Sequence, residues 1–193
     1  CRNVAVGSCA LKANTTGVEN QAIGYLSMNS NTEGGCNVAI GAALQSNTTG
    51  GNNVGIGFIA LSNNTTASNN TAVGRSALQE NTVGHSNTGI GQGALQATTD
   101  GDQNTAVGKG SLIAVTDGGN NTAIGEGSGS SVTQGNNNVL LGYVAGTDAV
   151  RTVTNGQNNI VIGNNSSATA HIKIDWTVTS DERDKTEIED VPH

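Results

Sequence analysis

Residues 70–84 read NTAVGRSALQENTVG, and this stretch sets the pattern for most of the chain. The order Asn, any residue, a residue that is small in most copies, a large aliphatic residue and Gly occurs ten times. The glycines that close these ten copies, here called core glycines, are Gly7, Gly24, Gly41, Gly57, Gly74, Gly91, Gly108, Gly125, Gly142 and Gly163. They are 17 residues apart in seven of nine intervals, 16 apart once and 21 apart once, with an insertion around Thr147–Val150. A fixed period of this length predicts a solenoid.

Each copy contains two apolar segments. An aliphatic residue precedes every core glycine, and Val or Thr stands two positions earlier in most copies, which is the alternation of a β-strand. A second apolar pair, such as Ala77 and Leu78, follows most core glycines and predicts a second short strand. We therefore predict an all-β fold, a parallel β-solenoid (β-roll) of about ten 17-residue turns. The aliphatic residues before the core glycines are expected to form a continuous internal column.

Two polar features of the repeat also carry structural predictions. The Asn that opens each copy, from Asn3 to Asn159, is expected to stack into a ladder, because side-chain amides at strand spacing can bond along the axis and to turn backbone. A second set of glycines marks another turn, where positive φ is expected. Its members are Gly17, Gly34, Gly50, Gly84, Gly101, Gly118, Gly135 and Gly156, with Ala67 as the one exception.

The composition agrees with a narrow structure. Aromatic residues make up 2% of the chain, and there are 28 glycines but one Pro and one Met. A compact core depends on large side chains, so the interior must be thin. The four aromatic residues of the sequence appear scattered, and no aromatic platform for a sugar is expected from Tyr25, Phe58, Tyr143 and Trp176. Trp176 is expected to pack near the C-terminal segment.

Charge and residue pattern exclude several classes of partner. The net charge is −7, and residues 1–174 carry eight acidic against six basic residues, without the basic surface of a nucleic-acid binder. The sequence has no apolar run long enough for membrane insertion. Because Cys1, Cys9 and Cys36 lack CxxC spacing and the histidines do not cluster, no metal and no cofactor is expected. The three cysteines are interpreted as small, semi-buried repeat residues.

Other polar patterns have simpler explanations than binding sites. The Asn-x-Ser/Thr triplets follow from turn composition and are not interpreted as glycosylation sites. Thr recurs in register from Thr15 to Thr133, as in an ice-binding face, but its β-propensity explains it equally well. A left-handed β-helix acyltransferase is excluded, since its six-residue period does not divide 17.

Residues 1–163 resemble the YadA-like head repeats of trimeric autotransporter adhesins, which carry similar Ala-Ile-Gly runs with polar turns. That family forms left-handed parallel β-rolls with three chains side by side, so the resemblance implies a homotrimer. The repeat itself offers a reason for self-association. The Ala or Gly position, together with the Ala-Leu pair, is expected to form a second apolar face that partner copies would cover.

The C-terminal segment resembles a second family. Ser180-Asp181-Glu182-Arg183-Asp184-Lys185 is similar to the Ser-Asp-x-Arg-x-Lys junction of the peptidase S74 intramolecular chaperones of phage tail spikes and fibres. In that family the chaperone drives trimerisation and then cuts itself off between Ser and Asp. The resemblance implies Ser180 as the nucleophile, Lys185 as its base, Asp181 as the first released residue and Arg183 as motif support. A buried Lys of lowered pKa can activate a hydroxyl in this way.

These observations divide the chain into a repeat shaft (1–165), a connecting strand segment (166–180) and the beginning of a chaperone domain (181–193). The chain starts at Cys1 inside a repeat, so we expect a fragment that does not cleave itself without the rest of the chaperone. No turnover enzyme is expected, only a single autoproteolysis. As an alternative, Ser180 is a helix N-cap followed by acidic residues in the first turn.

The predicted function is a virion tail-fibre or appendage shaft with a role in host attachment. Its partners would be itself, other virion fibre or baseplate proteins, and a host-surface glycan or protein. The alternative is the head of a bacterial trimeric adhesin at the cell surface, which a membrane anchor downstream would support and a chaperone domain would oppose.

Overall fold

The computed structural model describes residues 2–147 and 152–167, and these ranges contain strands and turns but no helix. Each strand is three residues long. The strands are β1 (Val4–Val6), β2 (Gln21–Ile23), β3 (Val38–Ile40), β4 (Val54–Ile56), β5 (Thr71–Val73), β6 (Thr88–Ile90), β7 (Thr105–Val107), β8 (Thr122–Ile124), β9 (Val139–Leu141) and β10 (Ile160–Ile162). The predicted all-β parallel solenoid is confirmed.

All ten strands belong to one sheet, in which each strand pairs in parallel with the next along the chain. The register joins equivalent residues of successive copies, as in Ala72 beside Gly89 and Val73 beside Ile90. The longest interval keeps this register, since Ile160 pairs with Val139. Nine steps at about 4.8 Å give a sheet about 43 Å long.

Each described turn contains one strand, so the prediction of a second strand at the Ala-Leu pair is wrong. Leu78 has a φ of 50°, and Met28 and Leu61 at equivalent positions have 49° and 50°. This left-handed backbone is incompatible with an extended strand. The backbone N–H of Leu78 still donates to the carbonyl oxygen of Ala94 in the next turn, at 3.0 Å. The segment is therefore a stack of identical bends.

The interior is filled by two columns of residues from opposite walls of the solenoid. One is the middle residue of each strand, such as Ala72 and Ala106, and the other is the Leu of the Ala-Leu pair, such as Leu44 and Leu78; all four are fully buried. Burial of a Leu side chain contributes about 1.5–3 kcal/mol, so the repeated Leu is the main apolar contribution of most turns.

The aliphatic residues that precede the core glycines point outward, so the predicted internal column of these residues is wrong. Ile23 is 40% exposed and Ile124 is 47% exposed. The interior has no room for them, because the Leu column lies close to the strand backbone. A Cβ added at Gly55 would lie 3.3 Å from both Ala43 Cβ and Leu44 Cγ. Only Ala or Gly fits at most middle positions of the strands.

The predicted Asn ladder is confirmed for the Asn that opens each copy. The side-chain oxygen of Asn70 accepts the backbone N–H of Asn87 at 2.9 Å, and Asn87 Nδ2 donates to the Gly101 carbonyl at 2.7 Å. The same pair of bonds recurs from Asn3 to Asn138. Because these side chains are buried in most turns, the bonds compensate for loss of solvent and fix the turn that precedes each strand.

A second Asn ladder lines the N-terminal half of the solenoid. Its members are Asn14, Asn31, Asn47, Asn64 and Asn81. From Asn31 onward, each Nδ2 donates to the side-chain oxygen of the preceding member and to the backbone carbonyl three residues later, as Asn47 does to Asn31 and Gly50. Thr98, Val115 and Val132 continue the column without amides. This second column is thus amide-rich in the first turns and largely apolar in the later ones.

The two glycine sets are conserved within the repeat for different reasons. Core glycines have positive φ, such as 135° at Gly108. The second set has no positive φ, so that part of the prediction is wrong. Its glycines are required by close approach of the next turn, since a Cβ at Gly34 would lie 2.4 Å from the Gly50 carbonyl oxygen. Nothing in the structure explains how Ala67 is accommodated at this position.

Candidate interaction surface

The outer face of the sheet is an uncharged surface made of two columns. One column is the first residue of each strand and the other is the third, which is aliphatic in all ten strands. The first column contains Val, Ile, Thr and one Gln, and neither column contains a charged residue. The exposed fraction of Ile90 is 40% and that of Ile162 is 67%. We call this surface the outer face.

The sequence placed the apolar face for self-association at the wrong residues. The Ala or Gly position and the Ala-Leu pair lie inside, as shown by the complete burial of Ala94 and Leu95. The outer face supplies the exposed apolar surface instead. Period-2 alternation identifies two sides of a strand but not which side is inside, so the sequence alone did not distinguish these alternatives.

A second surface, which we call the crest, is formed by the residue after each core glycine. Its members are Ser8, Tyr25, Ala42, Phe58, Arg75, Gln92, Lys109, Glu126, Tyr143 and Asn164. Backbone bonds hold these residues in register. The N–H groups of Ser76 and Gly93 donate to the carbonyl oxygens of Phe58 and Arg75, both at 3.0 Å. The crest is therefore a single column parallel to the solenoid axis.

The crest contains all three aromatic residues of the described part of the chain. Tyr25 is 64% exposed, Phe58 59% and Tyr143 64%. The interpretation of these residues as scattered is wrong for these three, while Trp176 lies outside the described residues. The signal was present in the sequence, since each of the three directly follows a core glycine. Their distance along the chain concealed the shared position.

An open groove of about 270 Å³ lies beside the middle of the crest. It is lined by Arg75, Ser76, Gln92, Gly93, Gln96, Lys109, Gly110 and Ile113. The groove opens where glycines replace the side chains that follow the crest in earlier turns, such as Leu26 and Ile59. Gly110 has no atom within 4 Å of an added Cβ. Absence of a side chain here exposes the flanks of the neighbouring crest residues.

The two cationic side chains of the groove, Lys109 and Arg75, differ in whether an acidic residue neutralises them. Lys109 Nζ lies 3.2 Å from Glu126 Oε1, and both side chains are largely exposed. Arg75 has no ion pair within the described ranges. The amides of Gln92 and Gln96 form no hydrogen bond to described residues either. The groove thus presents one uncompensated cation with two free amide groups beside it.

Cys9 and Cys36 are exposed free thiols, and the prediction that they are semi-buried is wrong for both. The Cys36 thiol donates to Glu19 Oε2 at 3.2 Å. This hydrogen bond, with partial desolvation and the charge of Glu19, raises the pKa of Cys36, and Arg2 opposes the effect. Arg2 also forms an ion pair with Glu19. Cys1 lies outside the described residues.

The recurring Thr hydroxyls are used within the solenoid. Thr48 Oγ1 donates to the Thr65 carbonyl at 3.0 Å, and Thr65 Oγ1 donates to the Thr82 carbonyl at 3.2 Å. These side chains are only partly exposed. The bonds run along the axis between turns, so the column strengthens the stack and does not present an array of free hydroxyls.

The residues of the predicted cleavage junction, Ser180, Asp181, Arg183 and Lys185, lie outside the described residues. The same holds for the boundaries of the predicted chaperone and for most of the connecting segment. Within residues 2–147 and 152–167, no group of three or more His, Cys, Asp or Glu side chains could hold a metal ion. No helix in these ranges is long and apolar enough to cross a membrane.

Comparison of the chain with family models, with curated proteins and with solved structures finds no match. We therefore infer function from the geometry of the outer face and the crest and from the sequence motifs.

Proposed function

We infer that this chain is the shaft of a homotrimeric fibre, a virion tail-fibre or appendage segment whose maturation includes chaperone autocleavage. The observation that carries the proposal is the outer face, where one aliphatic column, exposed or half-exposed, runs through all ten strands and no residue is charged. Contiguous exposed apolar patches larger than a few hundred Å² are rare on monomers and mark interaction sites. A second and third copy of the same chain would cover this surface.

The repeat makes self-association along the whole length geometrically simple. Residues of the outer face recur at each turn, so a contact between two copies in one turn can recur in the next. Interfaces of obligate oligomers are large and apolar. The aliphatic column of the outer face runs the whole length of the sheet and has this apolar character. The number three is supported by the resemblance to the YadA-like head repeats, whose three rolls lie side by side.

The oligomeric state tests this proposal. Sedimentation equilibrium and light scattering should give three times the mass of the chain. The variant Ile90→Lys, which places a charge in the centre of the outer face, should dissociate to monomers. Gln103→Lys adds the same side chain at an exposed position away from the outer face and serves as the control. A monomeric wild-type chain would contradict the proposal.

The maturation step rests on the Ser-Asp-x-Arg-x-Lys resemblance and has its own test. The full-length product, including the sequence downstream of residue 193, is expressed as wild type and as Ser180→Ala. Intact mass should show loss of everything after Ser180 in the wild type alone. Lys185→Met should retain the full mass as well, since it removes the proposed base. If both the wild type and Ser180→Ala keep the full-length mass, cleavage at Ser180 is contradicted and the interpretation of Ser180 as a helix N-cap remains.

The head of a bacterial trimeric adhesin is the second candidate, because residues 1–163 resemble such repeats and the same outer face would form its trimer. The two candidates differ downstream. A chaperone domain that is cleaved at Ser180 supports the fibre, whereas a membrane anchor in the full-length product supports the adhesin.

A further inference from the structure

We propose that the crest binds an extended, anionic polysaccharide that lies along the solenoid axis. The interior is built from Ala, Leu and Asn and contains no aromatic residue in the described ranges, so the solenoid does not need Tyr or Phe for its core. Tyr25, Phe58 and Tyr143 instead occupy the same exposed column.

An exposed aromatic ring that lies outside the core offers a flat apolar surface to a ligand. Its face carries partial negative charge and attracts the C–H groups of an apolar or amphipathic ligand. Sugar rings present such C–H groups on one face and hydroxyls at the edge. Tyr adds a hydroxyl that can bond to those edges. The three crest aromatics are therefore suited to sugar units that stack on the rings.

The spacing favours a linear polymer over a small sugar. Tyr25 and Phe58 are two turns apart, which is about 10 Å, and Phe58 and Tyr143 are five turns apart, about 24 Å. One ligand can contact all three only if it extends along the axis. The rise per turn is also close to the length of one sugar unit in an extended chain, so successive units can meet successive crest residues.

The groove between Phe58 and Tyr143 supplies the preference for negative charge. Arg75 has no ion-pair partner in the described ranges, and its guanidinium can bind a carboxylate through two parallel hydrogen bonds. Gln92 and Gln96 offer free amides for hydroxyls or for the same carboxylate. Lys109 is partly compensated by Glu126, so Arg75 is expected to contribute most to the recognition of charge.

This inference deepens the role in host attachment that the sequence predicts and rests on the proposed fibre function for its biological meaning, but the two can fail separately. Binding depends on the crest, whereas trimerisation depends on the outer face. Every variant below is therefore also tested for oligomeric state. A variant that keeps the wild-type mass and loses binding separates the crest from fibre assembly.

The experiment is affinity electrophoresis, followed by isothermal titration, with linear polymers of known charge. Polygalacturonate, alginate, hyaluronan and polysialate are the anionic probes, and dextran is the neutral one. Poly-L-glutamate tests whether charge alone is sufficient. We expect at least one anionic polysaccharide to bind, with affinity that decreases as salt increases, and no comparable binding of poly-L-glutamate. No binding of any polysaccharide, or equal binding of poly-L-glutamate, would overturn the proposal.

Single substitutions locate the site. Arg75→Gln should weaken binding about tenfold or more, because it removes a charge-assisted contact. Phe58→Ala should weaken binding about three- to tenfold. The control for charge is Arg2→Gln, which removes a cation that does not belong to the crest. The control for apolar area is Val83→Ala, because Val83 is 44% exposed and also lies outside the crest. Equal losses in controls and crest variants would place binding outside the crest.

Discussion

Leu140 occupies the space that Gly129 leaves empty in the Leu column. A Cβ added at Gly129 would lie 2.6 Å from Leu140 Cδ1 and 2.7 Å from Leu112 Cδ2. Gly146, one turn further, is similarly close to Leu140 Cδ2, at 2.7 Å. In earlier turns the large residue comes from the Leu column and the small one from the strand. Here the sizes are exchanged between opposite walls, and the interior stays filled.

Leu140→Ala should create a cavity between Gly129 and Gly146 and destabilise the fold by about 2–5 kcal/mol. Gly129→Leu should also destabilise, because its side chain collides with Leu140. The backbone at Gly129, with φ of 65°, is close to that of Leu112 at 49°, so a Leu is tolerated there once space exists. The double variant should therefore lose less free energy of unfolding than the sum of the losses in the two single variants. Urea unfolding measures all four chains, and strict additivity would refute the exchange.

Thr98→Val should stabilise the solenoid by about 1 kcal/mol. The hydroxyl of Thr98 is buried and has no hydrogen-bond partner in the described part of the chain. Val115 and Val132 already occupy the next two positions of its column, so the shape is compatible. The matched control is Thr82→Val, which loses the bond from Thr82 Oγ1 to the Thr99 carbonyl at 3.3 Å. It should cost about 0.5–1.5 kcal/mol. The two substitutions are chemically identical, and shifts of the same sign in thermal unfolding would count against this explanation.

The Asn ladder and the position of the core glycines could be predicted from the sequence, because both depend on residues that are nearly invariant between copies. Asn can bond to a stacked Asn only if the register is fixed, and the 17-residue period fixes it. The side of the strand that faces the interior could not be predicted in the same way. Large aliphatic residues normally lie inside, and Val73 or Ile124 satisfies every sequence criterion for a core residue.

The width of the interior decides which side of the strand faces inward, and this width depends on two opposite walls of the solenoid. The Leu column lies so close to the strand that the position of Ala72 admits little more than a methyl group. The left-handed backbone at Leu78 is similarly invisible in the sequence, since Leu rarely adopts it. The crest was missed for a simpler reason: Tyr25 and Tyr143 share a position only when the copies are aligned on their core glycines.

Gly108→Ala and Gly110→Ala form a matched pair that tests the role of the core glycine. At Gly108 the φ is 135°, and a Cβ would lie 2.5 Å from the Gly125 carbonyl oxygen. Gly110 has φ of 65°, where Ser76 has 58° in an equivalent turn, and its Cβ would meet open space. We expect Gly108→Ala to lower the free energy of unfolding by more than about 2 kcal/mol and Gly110→Ala to lower it by about 1 kcal/mol. Equal midpoints in urea unfolding would show that the close approach of successive turns does not require Gly at position 108.

The thiol of Cys36 should react more slowly than its exposure suggests, because the pKa of Cys36 is raised chiefly by its hydrogen bond to Glu19. The thiolate is the reactive form, so a raised pKa lowers the reactive fraction near pH 8. The neutral thiol favours the fold below the unfolded pKa, and that contribution is lost as pH rises through the folded pKa. Glu19→Gln removes the carboxylate and leaves the positive charge of Arg2, so alkylation of Cys36 should accelerate. Mass spectrometry of the labelled peptides follows Cys36 and Cys9 separately. An unchanged Cys36 rate, or a parallel increase at Cys9, would show that Glu19 does not control this thiol.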